Sequence, residues 1–186
     1  DEIVQDTIVV LSDDITHDSH AVHAFRKVAY SFLKEKRGVI IKTMYEFCDG
    51  CSMQFKSKTP FCDIQCSRQD FGFTIVRCFF GSRHGKSDSD GASAVTKSTA
   101  RRGIDCRRFI CRCATDMHRY LSLKRNRSPC INNTCCHTPR EHLLINAIDR
   151  DRPLRQGLTV VGTRKLQTVM PGTKEKLKTR GITCLC

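Results

Sequence analysis

The chain has 186 residues, with 32 Lys and Arg against 19 Asp and Glu, and therefore a formal net charge of +13. This length is enough to bury a hydrophobic core without disulfides, and no apolar run approaches the roughly 20 residues of a membrane-spanning helix. The positive charge favours nucleic acid as a partner over a membrane surface, because no strongly amphipathic basic helix is visible, and a merely basic soluble domain is the alternative.

The cysteine content predicts an intracellular, reduced protein. Thirteen cysteines are present, and an odd number argues against a simple set of internal disulfides. No signal peptide is visible. Because the chain starts at Asp1 and soon enters the apolar run IVVL, we expect it to be a fragment of a longer protein.

The first part of the chain predicts a strand, a helix and a second strand. Residues 7–11 (TIVVL) are apolar and β-branched, which predicts a strand. Apolar residues then recur every three or four positions over residues 21–36, which predicts a helix that ends at Arg37 and Gly38. Residues 39–47 (VIIKTMYEF) predict a buried strand.

The same alternation continues to residue 102. Residues 48–58 predict a turn into a short helix, residues 71–80 (FGFTIVRCFF) predict a strand, and residues 87–102 predict a helix. Alternating strands and helices require crossover connections, so the sequence predicts an α/β fold with a largely parallel sheet. Ligands bind such sheets at the carboxyl ends of the strands.

The second half is less regular. Residues 106–126 predict a helix, a Cys-rich loop follows, and residues 158–169 (LTVVGTRKLQTV) predict a strand pair around Gly162. We therefore expect an α/β domain over residues 1–125, with its first strands missing, followed by a basic, Cys-rich and less regular region over residues 126–186.

Positive charge is concentrated between Lys97 and Arg127, where only Asp105 and Asp116 oppose it. Such a block neutralises phosphates and gives salt-sensitive, sequence-independent affinity. Aromatic residues are few in this segment, which favours contacts with the nucleic-acid backbone over stacking on bases. The alternative is a solvated helix face. The residues expected to bind DNA here are Arg101, Arg102, Arg107 and Arg108.

The segment FCDGCSMQFKSK places Asp49 at the end of a predicted buried strand. A carboxylate is costly at such a position unless it binds a cation or caps the next helix, and both interpretations stay open. Lys56 and Lys58 follow in the same segment and suit a nearby phosphate backbone.

The segment GSRHGKSDSDG is similar to a phosphate-binding loop, but its spacing fails. Gly81 and Gly85 leave three residues between them where the P-loop pattern needs four, and the acidic residues after Ser87 would repel a nucleotide phosphate. We expect instead that Asp90 joins Asp49 at one divalent cation, where paired carboxylates serve phosphodiester transfer.

These two segments, with IVVLSDDITHDSHAVHAFRKVAYSFL before them and IDRDRP, GTRKLQTV and ITCLC after them, resemble a family of transposon-derived proteins of invertebrate and fish genomes. Those relatives resemble DDE-type transposases with an RNase H-like mixed sheet and flanking helices. In them a strand ends in Ser/Cys-Asp-Gly before Gln-Phe/Tyr-Lys, and Ser-His-Gly-Lys with Asp-Gly follows later. The resemblance spans most of the chain.

The resemblance implies a nuclear DNA-binding protein whose ancestral reaction is DNA strand cleavage and transfer with Mg²⁺ or Mn²⁺. It makes Asp49 the second acid of a metal-binding triad and Asp90 the third. Separately, we expect His84 and Lys86 of the GSRHGKSDSDG segment to bind DNA. The first acid is expected upstream of Asp1, so this chain alone is expected to cleave nothing.

Two departures from the family pattern bear on the acids. Relatives carry a Gly-rich turn after the Asp-Gly, whereas Ala-Ser-Ala follows Gly91 here, which puts the third acid in doubt. TIVVLSDD resembles the third strand of the fold rather than the first. We therefore interpret Asp13 and Asp14 as caps of the following helix and not as metal ligands.

Two groups of cysteines have spacings that indicate Zn²⁺. The better local cluster consists of Cys130, Cys135, Cys136 and His137. The second group consists of Cys48, Cys51, Cys62 and Cys66. A non-catalytic, zinc-stabilised nucleic-acid-binding module is therefore the alternative function, and the sequence leaves homo-oligomerisation open.

Overall fold

The protein consists of two compact units, each assembled from two separate segments of the chain. The computed structural model describes residues 5–80, 88–125, 140–152, 160–173 and 176–181. The first unit comprises Asp1–Ile15 and Lys86–Ala147, and the second unit comprises Thr16–Gly85 and Ile148–Cys186. The predicted domain boundary between residues 125 and 126 coincides with the end of one described range, residues 88–125.

The described residues form an α/β protein with six strands, five α-helices and two sheets, which confirms the predicted class. In chain order the elements are β1 (Thr7–Ser12), α1 (Ser19–Arg37), β2 (Thr43–Cys48), α2 (Lys58–Gln65), α3 (Ser67–Phe71), β3 (Thr74–Phe79), α4 (Asp88–Asp105), α5 (Ala114–Arg125), β4 (Arg140–Ile145), β5 (Thr168–Pro171) and β6 (Leu177–Arg180). None of the helices in the described ranges is long and apolar enough to span a bilayer.

The second unit contains a mixed four-stranded sheet in the order β2-β3-β5-β6. Strands β2 and β3 are parallel, with Thr43 opposite Thr74 and Cys48 opposite Phe79. Strand β5 runs antiparallel to both β3 and β6. The parallel pair places Asp49 and Phe80, the residues directly after β2 and β3, at the same edge of the sheet.

The core of the second unit lies on one face of this sheet, where α2 and α3 pack. Alternate residues of a strand point to the same face, so Ile75 and Phe79 of β3 reach the core while their neighbours point away. The buried core residues are Phe61, Ile64, Phe71, Phe73, Ile75, Phe79 and Val169.

The first unit is built on a parallel pair of strands, β1 and β4, with Thr7 opposite Arg140 and Ser12 opposite Ile145. Helix α5 packs against both strands, and α4 packs against β1 and α5. The buried core residues are Leu11, Ala114, Tyr120 and Leu121.

Local sequence signals determine both ends of α1; the end at Gly38 is as predicted, whereas the cap at its start is Asp18 and not Asp13 or Asp14. The carboxylate of Asp18 accepts a hydrogen bond from the Ala21 amide at 2.8 Å and caps the first turn. Gly38 has the left-handed conformation (φ 66°), and its amide donates to the carbonyl oxygen of Leu33. Glycine adopts this conformation without steric cost, so the helix stops there.

The prediction that the first three strands share one largely parallel sheet was wrong. Strand β1 pairs with β4, which lies more than 120 residues away and partly in the segment predicted to be a Cys-rich loop. The pairing of strands so far apart in sequence depends on the whole fold. The local pattern TIVVL predicts a strand but does not specify which strand pairs with it.

Two strand predictions were also wrong in extent. The strand predicted over residues 39–47 starts only at Thr43, and Ile40 is 83% exposed. Successive side chains of β2 point to opposite faces of the sheet and one of these faces is exposed, so only every second side chain faces the core. The strand pair was predicted around Gly162, but Gly162 instead precedes a short 3-10 turn. The antiparallel pair of this region is formed by β5 and β6.

Candidate nucleic-acid interface

The described part of the predicted basic segment lies on α4, α5 and the connection between them, and Arg127 lies outside the described residues. Residues 97–125 carry nine Lys and Arg and two Asp. Helix α4 turns Thr96, Ala100 and Gly103 into the first unit, so that the charged positions between them face solvent. We call the exposed cations of this segment the basic surface: Lys97, Arg101, Arg102, Arg107, Arg108, Arg112 and Arg119.

The two acids within this segment compensate little of the charge. Asp105 lies 4.0 Å from the Nε of Arg101, whose side chain is 86% exposed, and such an exposed pair contributes little. Asp116 accepts hydrogen bonds from the Arg112 side chain and amide, and these bonds lower the pKa of the Asp116 carboxyl. The other five cations have no carboxylate within ion-pair distance in the described parts of the chain.

The connection between α4 and α5 is held by an aromatic contact. The rings of Phe109 and Tyr120 are stacked with their centroids 4.0 Å apart and their planes at 9°. Gly103 lies directly beneath them, because a Cβ at this position would come within 2.5 Å of the Tyr120 side chain and 2.8 Å of Phe109. The close approach fixes the chain on either side of Arg107 and Arg108.

Asp49 follows β2 directly and is exposed. One of its carboxylate oxygens accepts a hydrogen bond from the Cys51 amide at 3.0 Å, so Asp49 stabilises a local turn. Helix α2 has Ser57 as its N-cap, so the alternative in which Asp49 caps that helix was wrong. The Asp49 carboxylate also has no cost of burial, because the side chain is in contact with solvent.

The surroundings of Asp49 fit a hydrated Mg²⁺ or Mn²⁺ ion only in part. Its other oxygen is a hard ligand of the kind that these ions prefer, and Mg²⁺ is commonly held by one or two carboxylates with water and phosphate. Glu46, on the preceding strand β2, is bound by two arginines. Burial raises the pKa of the Cys48 thiol to about 12, which keeps this neighbour protonated and a poor ligand.

Lys56 and Lys58, the predicted phosphate contacts near Asp49, have different surroundings. The ammonium group of Lys56 lies 4.3 Å from the centroid of the Phe79 ring and packs beside Gly50. Burial lowers the pKa of Lys56, with the Cys48 thiol opposing the shift. Lys58 begins α2 and is exposed.

Asp90 lies in the first turn of α4 with Asp88, and both are exposed. It belongs to the first unit and Asp49 to the second. Asp13 is a cap, as predicted, but of a different helix: its carboxylate accepts a hydrogen bond from the Ala114 amide at the start of α5. The cap of α1 is Asp18.

Several predicted site residues lie outside the described residues. These are His84, Lys86, Cys130, Cys135, Cys136 and His137. In the described ranges no three His, Cys, Asp or Glu side chains are grouped so that they could hold a metal ion. The second cysteine group, of Cys48, Cys51, Cys62 and Cys66, is therefore not assembled as a zinc site.

A buried charge network in the second unit was missed by the sequence analysis. Glu46 and Arg77 are direct partners on β2 and β3, and Arg26 of α1 donates to the same carboxylate. Burial alone would raise the pKa of the Glu46 carboxyl, but the charges of Arg26 and Arg77 outweigh it and lower that pKa. The available signal was a pair of charged residues at core-facing positions of two adjacent strands.

A second network connects the segment after Ile148 to the helices of this unit. Arg152 makes a bidentate ion pair with Asp63 of α2, at 2.6 and 2.9 Å, and donates from Nε to His20 of α1. Arg150 pairs with Asp18 at 2.9 Å. These bonds give the motif IDRDRP a structural role, because they attach it to the N-terminal end of α1 and to α2.

Comparison with known proteins adds one family. A family model described as "Domain of unknown function (DUF8701)" matches residues 1–183, which include segments of both units. Neither the curated proteins nor the solved structures give a match.

Proposed function

We propose that this chain, which belongs to the family described as Domain of unknown function (DUF8701), binds duplex DNA through the basic surface of its first unit. The observation that carries the proposal is the exposure of seven cations along α4, α5 and their connection, five of them without a carboxylate partner among the described residues. Phosphates of a duplex would supply the missing negative charge, and binding would release their counterions.

Backbone recognition fits this surface better than base recognition. Phe109 and Tyr120, the two aromatic residues of the segment, are stacked on each other and packed in the first unit. They are therefore not available as platforms for unpaired bases. We expect affinity for any duplex sequence, with contacts that position the DNA and do not specify its sequence.

The proposal includes a transposase-like origin, which the motifs around Asp49 and Asp90 support. In that case an RNase H-like fold, a nuclear location and a divalent cation are expected, with Asp49 and Asp90 each a candidate ligand of a cation. A bound Mg²⁺ would stabilise charge on the oxygens of a phosphodiester group. The contribution of Asp49 itself is one exposed carboxylate oxygen, held in position by the bond of the other oxygen to Cys51.

The DNA proposal is tested by a salt titration. Fluorescence anisotropy would measure the affinity for a labelled 20-base-pair duplex at several salt concentrations. A variant with Arg101, Arg102, Arg107 and Arg108 changed to Ala is expected to bind more weakly, and its log–log salt slope should fall by about 0.9 for each lost phosphate contact.

A matched variant controls for net charge. Lys27, Lys34, Lys36 and Lys42 are exposed and belong to the second unit, so their replacement by Ala removes the same charge elsewhere. We expect this variant to retain nearly all of the affinity and slope. Equal losses in both variants would contradict a defined interface, and absence of duplex binding by the unmodified chain would refute the proposal.

A further inference from the structure

The end of α4 has an unusual residue at a position where glycine is favoured. The amide of Arg107 donates to the carbonyl oxygen of Ile104 at 2.8 Å, and the amide of Arg108 donates to that of Gly103 at 2.9 Å. These two bonds form the Schellman motif that terminates many helices, and its closing residue is left-handed. That residue is Arg107, with φ 53°.

The other helices of this chain show what the position prefers. Helices α1 and α3 also end at a residue in the left-handed conformation, which is Gly38 in α1 and Gly72 in α3. Among the described residues Arg107 is the one non-glycine residue with positive φ. A side chain with a Cβ is strained in this conformation, because the Cβ lies too close to the following carbonyl oxygen.

The strained turn is closed by backbone hydrogen bonds and carries two exposed charges. Immediately after it, Phe109 is stacked on Tyr120, which fixes the direction of the chain. Both Arg107 and Arg108 are exposed, and neither has a carboxylate within ion-pair distance in the described parts of the chain. The attraction of a cation to the helix C-terminus does not explain why an arginine occupies the left-handed position. Arg102 and Arg108 have the same attraction without the backbone strain.

We infer that Arg107 is a phosphate-binding residue for duplex DNA, kept in a strained position because the hydrogen-bonded turn places its backbone beside Arg108 and its side chain in solvent. Strained residues are characteristic of functional sites, and a guanidinium can donate two parallel hydrogen bonds to one phosphate. The inference rests on the proposed DNA binding and adds a residue whose role in binding opposes its effect on stability.

The Arg107→Gly variant separates binding from stability. Glycine relieves the strain and removes the charge, so the midpoint of thermal unfolding should rise by about 2 to 4 °C. Affinity for a 20-base-pair duplex should fall by about 3- to 10-fold, and the salt slope should fall by about one. The Arg107→Lys variant keeps the strain and the charge, and should show neither the thermal gain nor the full loss of affinity.

Lys27→Ala removes one exposed charge from α1 and should leave duplex affinity within about twofold, as expected for a charge outside the interface. Unchanged duplex affinity in Arg107→Gly, or a lower unfolding temperature, would overturn this inference alone, provided that the unmodified chain binds DNA. If the unmodified chain does not bind DNA, the proposed function fails as well. Tighter binding to phosphatidylserine vesicles or to single-stranded RNA than to the duplex, lost in Arg107→Gly, would overturn the assignment to duplex DNA.

Discussion

Arg77 donates two hydrogen bonds to one oxygen of Glu46, from Nε at 3.1 Å and from Nη2 at 3.0 Å, while only 1% of the Arg77 side chain is exposed. Arg26, on α1, donates to the same carboxylate. One carboxylate is thus shared by two guanidinium groups inside the second unit, which leaves the cluster with one net positive charge. Arg26 Nη1 is buried without a hydrogen-bond partner in the described residues.

The first prediction concerns the stability that this carboxylate provides. Glu46→Ala leaves two buried cations without a counter-charge, and we expect it to lower the free energy of unfolding by about 3 to 5 kcal/mol. Urea denaturation followed by circular dichroism measures the change. Glu35→Ala, at an exposed site on α1, is the control and should cost little. A loss below about 1 kcal/mol in Glu46→Ala would contradict the proposed role of the network.

The second prediction is a pH dependence of stability. The pKa of Glu46 is lowered in the folded protein relative to the ordinary value of about 4.5, so the folded state favours the ionised carboxylate. Its stabilising contribution is therefore complete above that value and is lost as the pH falls through the lowered folded pKa. Glu46→Gln should flatten the decline of the unfolding free energy below about pH 4.5, whereas a curve parallel to that of the unmodified chain would contradict the assignment.

Local features of the fold could be predicted from sequence, and long-range ones could not. Gly38 ends α1 where the sequence indicates, because its left-handed conformation depends on that residue alone. The pairing of β1 with β4 depends on the entire first unit. The same limit applies to charge: the exposure of Arg101 and its neighbours follows from helical spacing, but the contact between Glu46 and Arg77 requires the register of β2 against β3.

The third prediction compares two glycines of α4 that have opposite surroundings. A Cβ at Gly103 would clash with Tyr120 and Phe109, whereas a Cβ at Gly91 meets nothing within 4 Å. Gly103→Ala should therefore lower the free energy of unfolding by about 1 to 3 kcal/mol through overpacking. Gly91→Ala should raise it by up to about 1 kcal/mol, because alanine has the higher helix propensity. Chemical denaturation measures the free energy of unfolding of both variants. Equal changes in the two variants would show that the aromatic stack does not need a glycine at position 103.

The fourth prediction tests the metal-binding role of Asp49 separately from its structural role. Asparagine has the same shape and also accepts a hydrogen bond, so Asp49→Asn should keep the turn that the Cys51 amide closes and leave the unfolding free energy within about 0.5 kcal/mol. The charge is lost, and hard divalent cations bind a neutral amide oxygen more weakly than a carboxylate. Calorimetric titration with Mn²⁺ should therefore show a clear loss of affinity.

Asp13→Asn is the matched control, because Asp13 also accepts a hydrogen bond from a backbone amide, that of Ala114, and we expect it to leave Mn²⁺ binding unchanged. If Asp49→Asn retains the full Mn²⁺ affinity of the unmodified chain, Asp49 has only its local structural role, and the transposase-like interpretation of this residue is refuted. If Asp90→Asn alone reduces the affinity, the cation is bound at α4 and does not involve Asp49.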